Sequence, residues 1–190
     1  NDDDSEIEPF PLGTEGDTGL VVDLGLSVKW ATCNLGADSP EQVGDYYAWG
    51  ETAVKNEYTE TNYFDANYSV FKLSGEKKIS GTGWDAACVK LGEGWRMPTT
   101  EEMHELVNSC TWAEETVNGV YGMRGTASNG NSIFLPVTGM FAGNSVQSAS
   151  QGCYWSGELY ADGARSGKYA AMLTFFKGGE IHASNYYRFE

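Results

Sequence analysis

The chain has 190 residues, 41% of them apolar and 13% aromatic, which suffices for one filled core and is short for two. Its formal charge is −15, from 27 acidic and 12 basic residues, with no basic cluster larger than the pair Lys77-Lys78. Such a surface repels polyanions, which excludes nucleic acid as a partner and direct docking on an anionic membrane. No run of residues approaches the roughly twenty apolar positions of a membrane-spanning helix.

Residues 1–19 begin Asn-Asp-Asp-Asp-Ser-Glu-Ile-Glu and carry no apolar periodicity; they read as an acidic flexible leader, with residues 20–190 as a single domain. Leu20–Leu24 and Ser27–Thr32 read as two strands around Gly25. Leu35–Asp45 is expected to be a loop, Tyr46-Tyr47-Ala48-Trp49 is dense in aromatics, and Ala53–Gly83 reads as a long polar excursion over the surface. Trp84–Leu91 predicts a short helix stopped by Gly92.

The segment Gly94-Trp95-Arg96-Met97-Pro98 leads into a second helix whose start is chemically marked. Thr99 is placed to accept from the amide of Glu102, and Glu102 to reach back to the Thr99 amide, which is a capping box. Met103, Leu106 and Val107 supply the buried stripe, leaving Glu101, Glu102 and Glu105 outside. Beyond Asn108 the period changes. Thr111–Val117 and Val120–Gly125 flank Asn118-Gly119, the strongest short hairpin signal in the chain. Ser132–Val137 predicts a strand that Pro136 either places near a sheet edge or ends. Gly139–Gly152 reads as a long polar loop, Tyr154 starts another strand, and residues 160–167 form a further loop. Tyr169–Phe176 is apolar on both faces, the mark of a central strand, and Gly178-Gly179 turns it back through Ile181 towards Tyr187.

The chain carries few of the groups that make active sites. Its only histidines are His104 and His182, and position 108, where a zinc-protease motif starting at His104 would need a second histidine, is Asn. There is no Gly-x-Ser-x-Gly, no phosphate-binding loop, and no clustered oxygen ligands for calcium, so no metal or cofactor is expected. Glu51, Glu102, Glu114, Glu115, Glu158 and Asp162 are carboxylates that a glycosidase could pair, yet with 27 acids in the chain a pair arises by chance. Cys33, Cys88, Cys110 and Cys153 have no Cys-x-x-Cys spacing; they are either buried free thiols or two disulfides. What remains is a set of loops rich in Tyr, Asn, Gln and Trp, whose aromatic faces and side-chain amides suit the recognition of sugars or protein side chains.

Four blocks, Val22–Ala37, Gly44–Thr52, Gly94–Thr99 and Gly152–Ser156, resemble the Fibrobacter major paralogous domain family, and the resemblance runs from about Val22 to Ala183. It implies an α+β, C-type-lectin-like fold, with two helices packed on small antiparallel sheets and long loops carrying any ligand site. It also implies an exported protein of the cell surface or periplasm, lipid-anchored upstream of residue 1. Members of that family end on a strand resembling Ser-Val-Arg-Pro-Val, which this chain does not contain. It also lacks the Glu-Pro-Asn and Gln-Pro-Asp triplets of calcium-dependent lectins, so calcium-dependent sugar binding is not implied. The function expected on this basis is noncatalytic recognition of a glycan or protein ligand, with Asn144, Gln147, Tyr160, Asp162, Arg165 and Tyr186 as candidate ligand-binding residues. A structural or assembly subunit of a surface complex is the alternative, and a carbohydrate-active enzyme comes third.

Overall fold

The computed structural model describes residues 20–63, 78–159 and 169–187. Within them lie two helices and ten strands in small antiparallel sheets, an α+β architecture. Strands β1 (Val21–Val22) and β2 (Trp30–Ala31) form a short ribbon. Helices α1 (Ala86–Leu91) and α2 (Thr100–Ser109) follow. Strands β3 (Thr111–Val117), β4 (Val120–Thr126) and β5 (Ser132–Pro136) make one three-stranded sheet with β4 in the middle. A small ribbon joins β6 (Met140–Ala142) to β7 (Ser145–Gln147). The last sheet has β9 (Tyr169–Phe176) between β8 (Gln151–Leu159) and β10 (Ile181–Tyr187).

The local chemistry explains most of these elements. The capping box of α2 is present in full, with Thr99 and Glu102 satisfying each other's amides. Helix α1 starts at Asp85, whose carboxylate accepts from the amide of Cys88, and stops at Gly92, where φ is +91°. The β3–β4 turn places Asn118 and Gly119 at φ +49° and +83°, the left-handed pair a two-residue hairpin of this twist requires. The β5 strand lies at a sheet edge and ends at Pro136, which has no amide to offer a further neighbour.

The main core joins the buried face of α2, Met103 and Leu106, to Met123 of β4, Ile133 and Leu135 of β5, and Leu173 and Phe175 of β9. A second cluster gathers Trp49, Ile79, Leu159 and Ala170, and a third Ala48, Tyr58 and Tyr63 with Tyr46 and Phe141 packed on them.

Four sequence expectations are corrected here. The first two strands shrink to two residues each, because Gly25 turns left-handed at φ +70° and Ser27 leaves the ladder to donate its amide to Glu105 at 3.1 Å. The excursion after Ala53 is not wholly superficial: Tyr58, Tyr63 and Ile79 are buried, since their rings and methyls fill the second and third clusters. The expected loop at residues 139–152 contains the β6–β7 ribbon and the start of β8, held because Phe141 lies against Tyr46 and Tyr58 with ring centres 5.4 and 5.3 Å apart. Glu102 is not an outward residue, because Arg96 folds over it and takes both carboxylate oxygens, at 2.8 and 2.5 Å.

Candidate functional site

Two regions are candidates, and one node of the backbone gathers segments around the second. In β8 the register slips between Trp155 and Leu159, a bulge that turns Ser156, Gly157 and Glu158 out of the regular ladder. Three chain segments attach there, through four bonds. Trp49 donates its indole N–H to the Ser156 carbonyl at 2.8 Å. The Gly157 amide donates to the Pro98 carbonyl at 2.7 Å, and the Gly157 carbonyl accepts from the Ile79 amide at 2.8 Å. Glu158 accepts from the amide of Thr100, at the N-terminus of α2, at 2.8 Å. A Cβ at position 157 would run into the Ser80 hydroxyl, so any residue but glycine here requires Ser80 to move.

The first region is the β6–β7 ribbon. Its turn is fixed by the reciprocal bonds between Tyr58 and Gly143, both 2.7 Å, and its base by the Gly139 amide on the Gln151 carbonyl at 2.7 Å. Asn144 in the turn and Ser145, Val146 and Gln147 along β7 are all exposed. Gln147 donates to the Ser145 hydroxyl at 2.9 Å. Of the six candidate ligand-binding residues, Asn144 lies in the turn of this ribbon and Gln147 at its other end, paired with Met140. Tyr186 belongs to β10, opposite Ala170 of β9. Tyr160, Asp162 and Arg165 lie outside the described residues.

The second region is one that the candidate list missed. A cleft of about 590 Å³ opens between the segment 28–51, helix α1, the approach Gly94–Pro98 and the inner faces of β5, β8 and β9. Its walls are aromatic: Trp30, Tyr46, Tyr47, Trp95, Tyr154 and Trp155 all line it. The sequence signal was the density of rings at 46–49 together with the indole of Trp95, which pattern reading assigns to a core as readily as to a pocket.

The polar ends of these rings are largely turned inward. Tyr46 donates to the Thr138 carbonyl at 2.5 Å, Tyr154 to the Pro136 carbonyl at 2.6 Å, and Trp155 to the Tyr47 carbonyl at 3.0 Å. Tyr58 donates to the carbonyl of Tyr46. Burial raises the Tyr154 phenol well above the ordinary tyrosine range, opposed by a hydrogen bond with Asn34. Burial also pushes the Tyr47 phenol up to about 12, helped by the charge of Asp45, to which its hydroxyl donates at 3.3 Å.

Nucleophilic and metal chemistry find little to work with. Cys153 lines the cleft, but burial pushes its thiol up to about 12, so it is protonated at neutral pH and a poor nucleophile. All four cysteines are free thiols. Among the described residues no three His, Cys, Asp or Glu side chains stand close enough to share a metal ion. His104 and His182 are both exposed. The carboxylates weighed as glycosidase pairs have structural partners: Glu51 meets Lys55 at 2.7 Å, Glu102 meets Arg96, Glu115 meets Arg124, Glu114 accepts from the Gly178 amide at 2.6 Å, and Glu158 holds Thr100. Asp162 lies outside the described residues. Among the described residues no helix is long and apolar enough to cross a membrane.

Comparison with known proteins finds no matching family model, no matching curated protein and no matching solved structure.

Proposed function

We propose that this chain is a noncatalytic binding domain of an exported, surface-displayed protein of the Fibrobacter major paralogous domain type, with a C-type-lectin-like fold, and that it recognises a glycan or protein ligand through its loop end. The observation that carries the reading is the β6–β7 ribbon. It is fixed at its turn by paired backbone bonds between Gly143 and Tyr58 and at its base by the Gly139–Gln151 bond, and along it the side chains of Asn144 and Gln147 are exposed to solvent. A rigid support under exposed amides is the arrangement that recognition loops use, because the groups are ordered before the ligand arrives. The commitment of Glu51, Glu102, Glu114, Glu115 and Glu158 to structural partners supports a noncatalytic role over a hydrolytic one.

The test is a broad glycan array, with calcium and with chelator, run in parallel with a pull-down from the native cell surface. The probes are the wild-type domain and an Asn144→Ala/Gln147→Ala double variant. Saturable binding that falls at least about tenfold in the variant, with unchanged thermal unfolding, is the expected result. Folded protein that binds neither glycans nor surface proteins overturns the reading and leaves the assembly role. Turnover of a polysaccharide that stops when one carboxylate is replaced overturns its noncatalytic part.

A further inference from the structure

We infer that the aromatic cleft is a second, independent site that takes an uncharged apolar small molecule with an aromatic or aliphatic body. Volume is the first ground. At about 590 Å³ the cleft falls in the range of small-molecule sites, and it is several times the roughly 150 Å³ that suffices for a dry apolar cavity to take up benzene.

The second ground is what the walls have left to offer. The hydroxyls of Tyr46 and Tyr154 and the indole N–H of Trp155 each donate to a carbonyl of the protein itself. Thr138, also on the wall, donates to the Gly139 carbonyl at 2.9 Å and accepts from the Cys153 amide at 3.0 Å. The Arg96 guanidinium is held by both oxygens of Glu102. A sugar entering here would give up hydration from several hydroxyls and find most of their natural partners already engaged, the buried indole N–H of Trp30 being an exception, a loss of the kind that unpaired buried polar groups incur. Ring faces and the methyls of Leu135, Met172 and Leu173 remain available, and these reward apolar surface.

Charge sets the remaining limit. The wall carries Asp45, Glu51 and Glu102 against Lys29 and Arg96, and the chain as a whole stands at −15. An anionic ligand is therefore disfavoured even when its body fits. The entrance is apolar: Val21 and Leu91, both on the cleft, are 41% and 40% exposed.

A matched pair of dyes tests this on the whole chain: uncharged N-phenylnaphthylamine and its sulfonated analogue, anilinonaphthalene sulfonate. The neutral dye is expected to saturate at one equivalent, to quench tryptophan emission by energy transfer, and to bind at least about tenfold more tightly than the sulfonate. Ala31→Phe and Ala87→Phe, each filling the cleft from a different wall, are expected to weaken it by about tenfold or more. A variant that fails to fold is read through the wild type, where the neutral dye should raise the melting temperature and the sulfonate should not. No saturable binding, equal brightening of both dyes, or undiminished binding to folded cleft-filled variants overturns the inference. Because the dyes do not report on the β6–β7 ribbon, a failure here leaves the glycan and protein result standing, and the reverse holds.

Discussion

Trp49 and Ser156 are 107 positions apart in the chain, and the indole N–H of the first donates to the backbone carbonyl of the second at 2.8 Å inside the protein. Trp49 is 1% exposed and Ser156 fully buried. The bond matters because it falls on the β8 bulge, where the ladder to β9 is interrupted and the carbonyl has no strand partner to fall back on. It also draws the aromatic segment 46–49 down onto the last sheet, which closes one side of the cleft.

Trp49→Phe should therefore cost about 1 to 3 kcal/mol, since a buried carbonyl loses its donor as well as part of its packing. Trp30 provides the internal comparison. Its indole nitrogen is shut off from solvent and finds no acceptor among the described residues, so Trp30→Phe removes an unmet donor and should stay within roughly 1 kcal/mol of wild type. Urea denaturation of both variants decides the matter, and equal losses would mean that the bond at the bulge contributes little.

Asp85 leads to a second expectation. Its carboxylate is fully buried and accepts three backbone amides: Gly81 and Met97, both at 2.8 Å, and Cys88 at 3.1 Å. One side chain thus caps α1 and ties it to the approach to α2. Asp85→Ala orphans all three donors and should cost on the order of 3 kcal/mol, with Asp85→Asn, which keeps one acceptor oxygen, in between. Chemical denaturation that placed the alanine variant within error of wild type would show that water replaces the carboxylate without loss.

These contacts mark the boundary of what the sequence made legible. The elements governed by local chemistry were readable: the Thr99–Glu102 capping box, the Asp85-to-Gly92 helix, the Asn118-Gly119 hairpin and the all-apolar β9. The β6–β7 ribbon was not, because its composition is that of a loop and its order comes from Phe141 reaching Tyr46 and Tyr58, residues 95 and 83 positions earlier. The exposed pair Asn144 and Gln147 was found through residue type alone. The cleft escaped for a physical reason: rings that line a cavity and rings that fill a core have the same hydropathy, and only the three-dimensional gap between them tells the two apart.

Acid sensitivity should centre on Glu102. The hydrogen bonds and charge of Arg96, with the Thr99 amide, outweigh desolvation and lower its carboxyl from 4.5 to about 2. A folded-state value below the unfolded one means that the group's contribution is complete above about pH 5 and disappears as the pH falls towards 2. Arg96 retains about a third of its side-chain exposure, so solvent screening limits the effect to on the order of 2 kcal/mol. Denaturation midpoints measured from pH 6 to pH 2 should fall for wild type and fall less for Glu102→Gln. Parallel curves would assign the acid sensitivity to other carboxylates.

Thiol chemistry gives the last expectation. Burial raises the thiols of both Cys110 and Cys153, the latter to about 12, so near pH 8 very little of either is the reactive thiolate. Iodoacetamide should label both far more slowly in the native protein than in urea, where ordinary thiol acidity and full access return together. Cys110 is the more buried side chain and Cys153 the more strongly raised thiol, so protection at Cys110 comes chiefly from access and at Cys153 chiefly from acidity. Uptake at Cys153 matching that of a free cysteine would mean that the cleft is open to water at this wall, and the neutral dye would then lose its advantage over the sulfonate as well.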